Sequence, residues 1–127
     1  MLIVAALLGA TAVMSGAFGA HALKGVLDTQ AQGWYQTAVT YHAGHALALL
    51  CCGLLGLHRG NGRGSRWLTT AGLCFTLGTL IFAGTLYTMA FTHMTRLGMI
   101  TPIGGLLLIL AWLSLAIAAA RLECRKS

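Results

Sequence analysis

Acidic residues are almost absent from this sequence, which has only Asp28 and Glu123 against eight lysines and arginines. Charged residues of either sign make up 8% of the 127 residues, whereas a soluble domain usually carries about a quarter. A deficit of this size excludes an ordinary soluble domain, because most of the protein surface cannot face water. The positive residues lie at the ends of apolar runs, so the net charge of +6 indicates membrane topology, and we expect no nucleic-acid partner.

Charged side chains are missing altogether from four long apolar stretches, at about residues 2–23, 34–57, 67–91 and 99–120. Each stretch has the ~20 residues that an α-helix needs to cross a ~30 Å hydrocarbon core, where the backbone must satisfy its own hydrogen bonds. The sequence therefore predicts an all-α membrane protein, a single transmembrane domain over 1–127 built as a bundle of four transmembrane helices. Membrane lipids are the expected partners.

The connections between these stretches differ in positive charge. The second loop and the C-terminal tail each hold three lysines or arginines, and the first and third loops hold one each. The positive-inside rule then predicts that the second loop and both termini are cytoplasmic. In this topology Trp34 and Tyr35 lie at the outer membrane interface and Trp67 lies at the inner one.

The first span and the loop after it allow further predictions. Ala20-His21-Ala22 has the small-x-small form of a signal-peptide cleavage site, but no positive residue precedes the apolar run and the run is longer than a usual signal core. We therefore expect the first span to be retained. The loop between the first two helices is predicted to form a short interfacial segment, an amphipathic helix with Leu23, Val26 and Leu27 on its apolar face.

Three histidines in or near the spans are the strongest candidates for function. Ionisable groups inside a membrane are costly and usually face the bundle interior. In the second span, His45 shares a helical stripe with Tyr41, and His42 is displaced from that stripe by about 60°. By depth, we expect a polar cluster or binding site in the outer half of the bundle, formed by His21, Tyr41, His42, His45, Thr85, Tyr87 and Thr101.

Two interpretations of the histidines stay open. Neutral histidines can hydrogen-bond between helices and hold them together. Alternatively, they can form a metal, haem or proton-handling site. The sequence has no H-E-x-x-H or C-x-x-C spacing and no carboxylate in the spans, so neither a metal site nor a catalytic residue is predicted.

The four cysteines are predicted to be small apolar fillers rather than a metal site or a disulfide. Cys51 and Cys52 are adjacent in the second span and therefore point to different sides of its helix. A soft-metal site that includes Cys74 remains the alternative. Cys124 lies in the tail.

Small residues predict where helices approach closely. Ala12 and its neighbours at steps of four form a smooth stripe on the first span, which suits tight helix packing. Thr101 and Pro102 together suit the first turn of the fourth helix, with threonine as the N-cap. The predicted packing positions are Gly9, Gly16, Gly19, Ala20, Gly84, Gly104 and Gly105.

Several strings of this sequence are similar to one known family. They are G-A-F-G-A-H-A-L-K at 16–24, W-Y-Q-T-A-V-T-Y-H-A-G-H-A-L-A-L-L at 34–50, F-A-G-T-L-Y at 82–87 and I-T-P-I-G-G-L-L-L-I at 100–109. Together they resemble the YgdD-like membrane family, domain of unknown function 423, whose relatives include human transmembrane protein 256. The resemblance implies a four-span protein, in bacteria one of the inner membrane. It brings no activity with it.

These observations favour an uncharacterised, non-enzymatic membrane protein without a cofactor, acting as a scaffold, accessory or lipid-interacting protein and forming a homo-oligomer. The absence of acids in the spans supports this, because proton-coupled transporters usually need an intramembrane carboxylate. Two alternatives remain. One is an oligomeric conduit for a small molecule, ion or metal. The other is a subunit that binds haem or quinone through His21 and His45.

Overall fold

The four apolar stretches form four long helices. The computed structural model describes residues 1–57 and 63–123, and all secondary structure within those ranges is helical. Each of the four long helices contains a segment long and apolar enough to cross a membrane. The predicted all-α membrane fold is therefore confirmed. The helices are α1 (Leu2–His21), α2 (Thr29–Leu57), α3 (Arg63–Thr92) and α4 (Thr101–Glu123), with a short 3-10 helix (Thr95–Met99) before α4.

The helices pack in chain order, α1 against α2, α2 against α3 and α3 against α4. Each neighbouring pair is antiparallel. The connections at 22–28 and 93–100 consequently lie at one end of the bundle. We call the half nearer these connections the polar half, and the half nearer residues 1, 57 and 121 the apolar half.

The connection between α1 and α2 differs from the prediction. Residues 22–28 form turns, so the predicted amphipathic helix is wrong. Gly25 has a φ of +83°, which ends regular helix, and Asp28 Oδ1 accepts a hydrogen bond from the Ala31 backbone N–H at 2.8 Å. This cap starts α2 at Thr29, before the predicted start at Trp34. Leu23 turns inward and packs against the first turns of α2.

The connection between α3 and α4 is tied to the same end of the bundle. His93 follows α3 with a φ of +54°, and the 3-10 helix carries the chain to α4. The His93 Nδ1 atom lies 3.7 Å from Asp28 Oδ2, so the residue that caps α2 also contacts the segment after α3. Nothing in the apolar pattern predicted this 3-10 helix.

The main hydrophobic core draws on all four helices and lies mostly in the apolar half. Its largest fully buried side chains include Phe75, Leu49 and Cys52. Cys52 acts as a small apolar residue there, whereas Cys51 is exposed and Cys74 is half-buried, and all three are free thiols. The predictions for Cys124, and for the positive charges at Arg59, Arg125 and Lys126, concern positions outside the described residues.

Candidate functional site

His42 is the most buried of the histidines that the structure describes, with 7% of its surface exposed, and it connects three helices. From α2, its Nε2 atom lies 3.4 Å from the Thr11 hydroxyl on α1, and its Nδ1 atom lies 3.4 Å from the Tyr87 hydroxyl on α3. Both distances are at the long end of the hydrogen-bond range. The imidazole therefore joins α1 and α3 near the middle of the bundle, at the inner edge of the polar half.

The neighbouring groups determine which His42 nitrogen carries the hydrogen. The Thr11 hydroxyl donates its only hydrogen to backbone carbonyls of its own helix, at 2.9 Å from Leu7 O and 3.0 Å from Leu8 O. Its oxygen is then left to accept a hydrogen bond from His42 Nε2–H, and Tyr87 O–H donates to His42 Nδ1. Both ring nitrogens of a neutral imidazole are used.

Tyr35 makes the shortest side-chain contact between α1 and α2. Its hydroxyl donates a 2.7 Å hydrogen bond to the backbone carbonyl of Ser15. The ring packs edge-on against Tyr87, with 5.1 Å between centroids, and only 5% of the residue is exposed. The sequence placed Tyr35 at the membrane interface with Trp34 and missed this contact. Gly19, one turn beyond Ser15 on α1, was the available signal, because a side chain there would collide with the Tyr35 ring.

His45 forms a second, separate set of contacts between α2 and α4. Its Nδ1–H donates to the Tyr41 carbonyl at 2.7 Å, and its Nε2 accepts a hydrogen bond from Trp112 Nε1–H at 3.3 Å. The ring also lies against Phe75, at 5.8 Å between centroids. Both nitrogens of this histidine are therefore engaged as well. Trp112, in the middle of the fourth span, was not among the predicted residues.

Thr85 and Thr101 link α3 to α4 where the 3-10 helix ends. Their hydroxyl oxygens are 2.9 Å apart, and Thr85 also donates to the carbonyl of Ile81 at 2.8 Å. Thr101 is the first residue of α4, and its hydroxyl contacts Thr85 and the Leu97 carbonyl. It therefore bonds to the preceding segment and to α3, instead of serving as the predicted N-cap.

The structure divides the predicted polar cluster into parts. His42 and Tyr87 come together, Thr85 and Thr101 come together, and Tyr41 and His45 are neighbours on α2 with ring centroids 5.6 Å apart. His21 joins none of these groups. It is the last residue of α1, its side chain is exposed, and no described residue forms a hydrogen bond with that side chain.

The predicted packing positions differ in how closely another helix approaches them. A Cβ atom at Gly104 would lie 2.5 Å from the Phe82 backbone nitrogen, and one at Gly19 would lie 2.5 Å from the Tyr35 ring. Gly16 and Gly105 have ordinary van der Waals neighbours, Val39 and the Phe82 ring.

Three of the predicted packing positions make no close helix contact within the single chain. A Cβ at Gly9 or Gly84 would meet nothing within 4 Å, although both glycines are half-buried, and Ala20 is exposed. Gly53, Gly72 and Gly78, in contrast, lie at close contacts.

The histidines and cysteines do not assemble into a metal site in the part of the chain that the structure describes. No group of three histidine, cysteine, aspartate or glutamate side chains there is placed to hold a metal ion. His42 and His45 each spend both nitrogens on protein partners, and a ligand would have to displace one of them. The geometry is suited to holding helices together.

One family of known proteins matches most of this chain. A family model described as "Protein of unknown function (DUF423)" matches residues 15–105. The chain belongs to the DUF423 family. The resemblance to YgdD-like proteins is thereby confirmed. The matched range includes the contacts of His42 with Tyr87, of Tyr35 with Ser15 and of Thr85 with Thr101, whereas Thr11, the other partner of His42, lies before it.

Relatives of this DUF423 member come from several bacteria. The UPF0382 inner membrane protein YgdD of Escherichia coli (strain K12) is 38% identical over 124 residues, covering 97% of this chain and 91% of the relative. The UPF0382 membrane protein YwdK of Bacillus subtilis (strain 168) is 41% identical over 111 residues, covering 87% of each chain. No solved structure matches the chain.

Proposed function

We propose that this DUF423 member is a non-enzymatic structural protein of the inner membrane, a scaffold or accessory subunit whose polar residues hold its own helices together. One observation carries the proposal. Both ring nitrogens of His42 and both of His45 have protein partners, and these partners lie on neighbouring helices or on the same helix. Side chains occupied in this way are structural connections rather than free ligands or acid-base groups.

The chemistry of the spans supports the same proposal. Catalysis by general acids or bases needs a titratable group within hydrogen-bond reach of a substrate. The four spans contain no carboxylate, and the histidines are engaged as described. Haem ligation through His45 would require breaking the bond from Trp112 to Nε2, the nitrogen that the histidine would offer to iron.

The proposed role is tested by asking whether the protein carries a ligand when it leaves the cell. The full chain is purified in native lipid, and its optical spectrum, metal content and extractable quinones are measured. We expect no Soret band, no stoichiometric metal and no stoichiometric quinone. Any of these in a one-to-one ratio, lost in both His45→Leu and His21→Leu, would replace the structural proposal with cofactor binding through the two histidines. A one-to-one cofactor lost in His45→Leu alone would also overturn the structural proposal, and it would assign the cofactor to a site without His21, whose side chain is exposed.

The proposal includes an orientation with both termini in the cytoplasm. An antiparallel bundle of four helices has both chain termini on the same side of the membrane. Six of the eight lysines and arginines belong to the second loop and the tail, so the positive-inside rule places that side in the cytoplasm. A C-terminal green fluorescent protein fusion is expected to fluoresce, and a C-terminal alkaline phosphatase fusion is expected to be inactive. The opposite pair of results would reverse the orientation.

We also propose that the protein forms a homo-oligomer, because α1 buries little of itself in the single chain. Its exposed large apolar side chains include Ile3, Leu7, Val13 and Met14. Native mass spectrometry from lipid nanodiscs is expected to show a multiple of the 13.3 kDa chain. A spectrum that contains only monomer would exclude both the oligomer and a conduit formed between protomers.

A further inference from the structure

A charged cavity lies at the end of the bundle opposite the connections, where α3 begins and α4 ends. It has a volume of about 400 Å³ and is lined by Arg66, Trp67 and Thr70 of α3 and by Arg121 of α4. Residues one turn apart lie on one face of a helix, so Arg66 and Thr70 face the same side. The antiparallel packing of α3 and α4 then brings Arg121 to the same level.

The two arginines share this cavity without a described counter-charge. Asp28 lies at the opposite end of the bundle, where it contacts His93, and no ion pair joins either arginine to a side chain that the structure describes. Two guanidinium groups that face one cavity repel each other, and a bound anion relieves that repulsion. Each guanidinium presents N–H donors in a planar fork that matches the oxygens of a phosphate.

Trp67 positions one of these groups. The Arg121 guanidinium carbon lies 5.5 Å from the centroid of the Trp67 ring, within the range of a cation–π contact. The ring holds the guanidinium by its face and leaves its N–H edges available. The Thr70 side chain is exposed in the same wall and adds a hydroxyl donor.

The depth of the cavity identifies the source of the anion. The third membrane-spanning segment starts at Arg66 and the fourth ends at Arg121, so both side chains lie where the hydrocarbon core gives way to the polar surface. Lipid phosphate groups occupy that layer, just outside a hydrocarbon core of ~30 Å. Basic pockets between helices at such a surface bind the headgroups of anionic lipids.

We propose that Arg66 and Arg121 bind the phosphodiester of an anionic phospholipid, with Trp67 and Thr70 completing the site. A zwitterionic lipid brings its own ammonium group next to the phosphate, which would leave the two arginines uncompensated. The site is therefore expected to prefer a headgroup with net negative charge. This assignment does not depend on the structural role proposed for the histidines, which lie in a different part of the bundle.

The test is a lipid titration of the full chain, in detergent, followed by native mass spectrometry. The probes are phosphatidylglycerol, phosphatidylcholine and inorganic phosphate. We expect wild-type protein to bind phosphatidylglycerol more tightly than phosphatidylcholine. Each of Arg66→Gln and Arg121→Gln should weaken phosphatidylglycerol binding about fivefold, and the double variant about 25-fold, because a basic residue near an anionic lipid surface contributes about that factor. Phosphatidylcholine has the same phosphodiester beside its own ammonium group, so its binding should weaken less than that of phosphatidylglycerol.

The matched control removes the same charge from the opposite end of the bundle, in the double variant Lys24→Gln, Arg96→Gln. Both of these side chains are exposed, and the control should bind phosphatidylglycerol like wild type. Equal losses in the two double variants, or no loss in Arg66→Gln, Arg121→Gln, would overturn the proposal. Displacement of phosphatidylglycerol by millimolar inorganic phosphate would assign the cavity to a soluble anion and overturn the lipid assignment. Circular dichroism checks that each variant is folded.

Discussion

The polar half and the apolar half of this bundle are held together by different kinds of contact. In the polar half, side chains reach across helix boundaries, from Tyr35 to α1, from His42 to both neighbours and from Thr85 to α4. In the apolar half, Phe75 and Leu49 fill the interior, and the charges lie at the rim.

The difference between the halves matters because lipid, and not water, surrounds these helices. Lipid tails are as apolar as leucine, so burial of apolar side chains gives helices in a membrane little reason to associate. Close packing and hydrogen bonds between helices must then set which helix faces which. Among the described residues, Tyr35, His42 and Thr85 make such bonds at several levels of the polar half. The bond from Trp112 to His45 joins α2 to α4 near the middle of the bundle. We infer that the polar half specifies most of the arrangement of the four helices.

The largest expected effect comes from the closest helix contact in the polar half. In Gly104→Ala the new methyl group would meet the backbone of Phe82, which cannot rotate away, so α3 and α4 must separate. We expect the free energy of unfolding to fall by about 2 kcal/mol, measured by SDS titration in mixed micelles and followed by circular dichroism.

Gly53→Ala is the matched change in the apolar half. Its methyl group would meet Leu2, but at the far end of a flexible side chain that can move. Both changes gain the same helix propensity, so the two losses differ only through the contact that the new methyl group makes. Because the Leu2 side chain can move, the loss of unfolding free energy at Gly53 should be below about 1 kcal/mol. Equal losses at Gly53 and Gly104 would contradict the difference between the halves.

The second-largest loss of stability is expected at Tyr35, whose hydrogen bond to Ser15 is the shortest described side-chain bond between helices. Tyr35→Phe removes the hydroxyl that donates to the Ser15 carbonyl and keeps the ring, and it should cost about 1 kcal/mol of unfolding free energy. Tyr41→Phe is the control, because 44% of that residue is exposed and its ring stacks on Phe82 without a hydrogen bond from its hydroxyl to a described residue. Equal unfolding free energies for Tyr35→Phe and Tyr41→Phe would contradict the role given to the Tyr35 hydrogen bond.

The smallest effect is expected at the threonine pair. Thr85→Val removes the bond to Thr101 together with the shared bond to the Ile81 and Phe82 carbonyls of its own helix. Thr76→Val removes a bond to the Gly72 carbonyl of its own helix and none to another helix. Both threonines are half-buried. The difference between the two losses should be about 0.6 kcal/mol, the average for a side-chain bond between helices in a membrane. Thermal unfolding in the same micelles measures it, and a difference of zero would remove Thr85 from the polar half's connections.

Most of the fold was predictable, because it follows from where charge is absent. Four uncharged runs of about 20 residues leave few alternatives to four helices. The ends of the helices were less predictable. Asp28 starts α2 before the apolar run, and Gly25 prevents a helix before it, so local capping and backbone conformation overrode the apolar pattern.

The candidate site was predictable in part. Helical periodicity correctly separated His42 from the stripe of Tyr41 and His45, but it does not say which stripe faces a neighbour. His42 turned out to be the buried one. Depth along each helix was a poor guide for His21, since residues at a similar depth can point to different sides. Tyr35 and Trp112 were missed because the contacts that place them come from other helices.

The central claim is that the polar residues inside the bundle connect helices, and a double-mutant cycle at His42 and Tyr87 tests it most directly. The unfolding free energy is measured for His42→Leu, Tyr87→Phe and the double variant. The account predicts that the sum of the two single losses exceeds the double loss by a coupling energy of about 0.6 kcal/mol. A coupling energy of zero would contradict it.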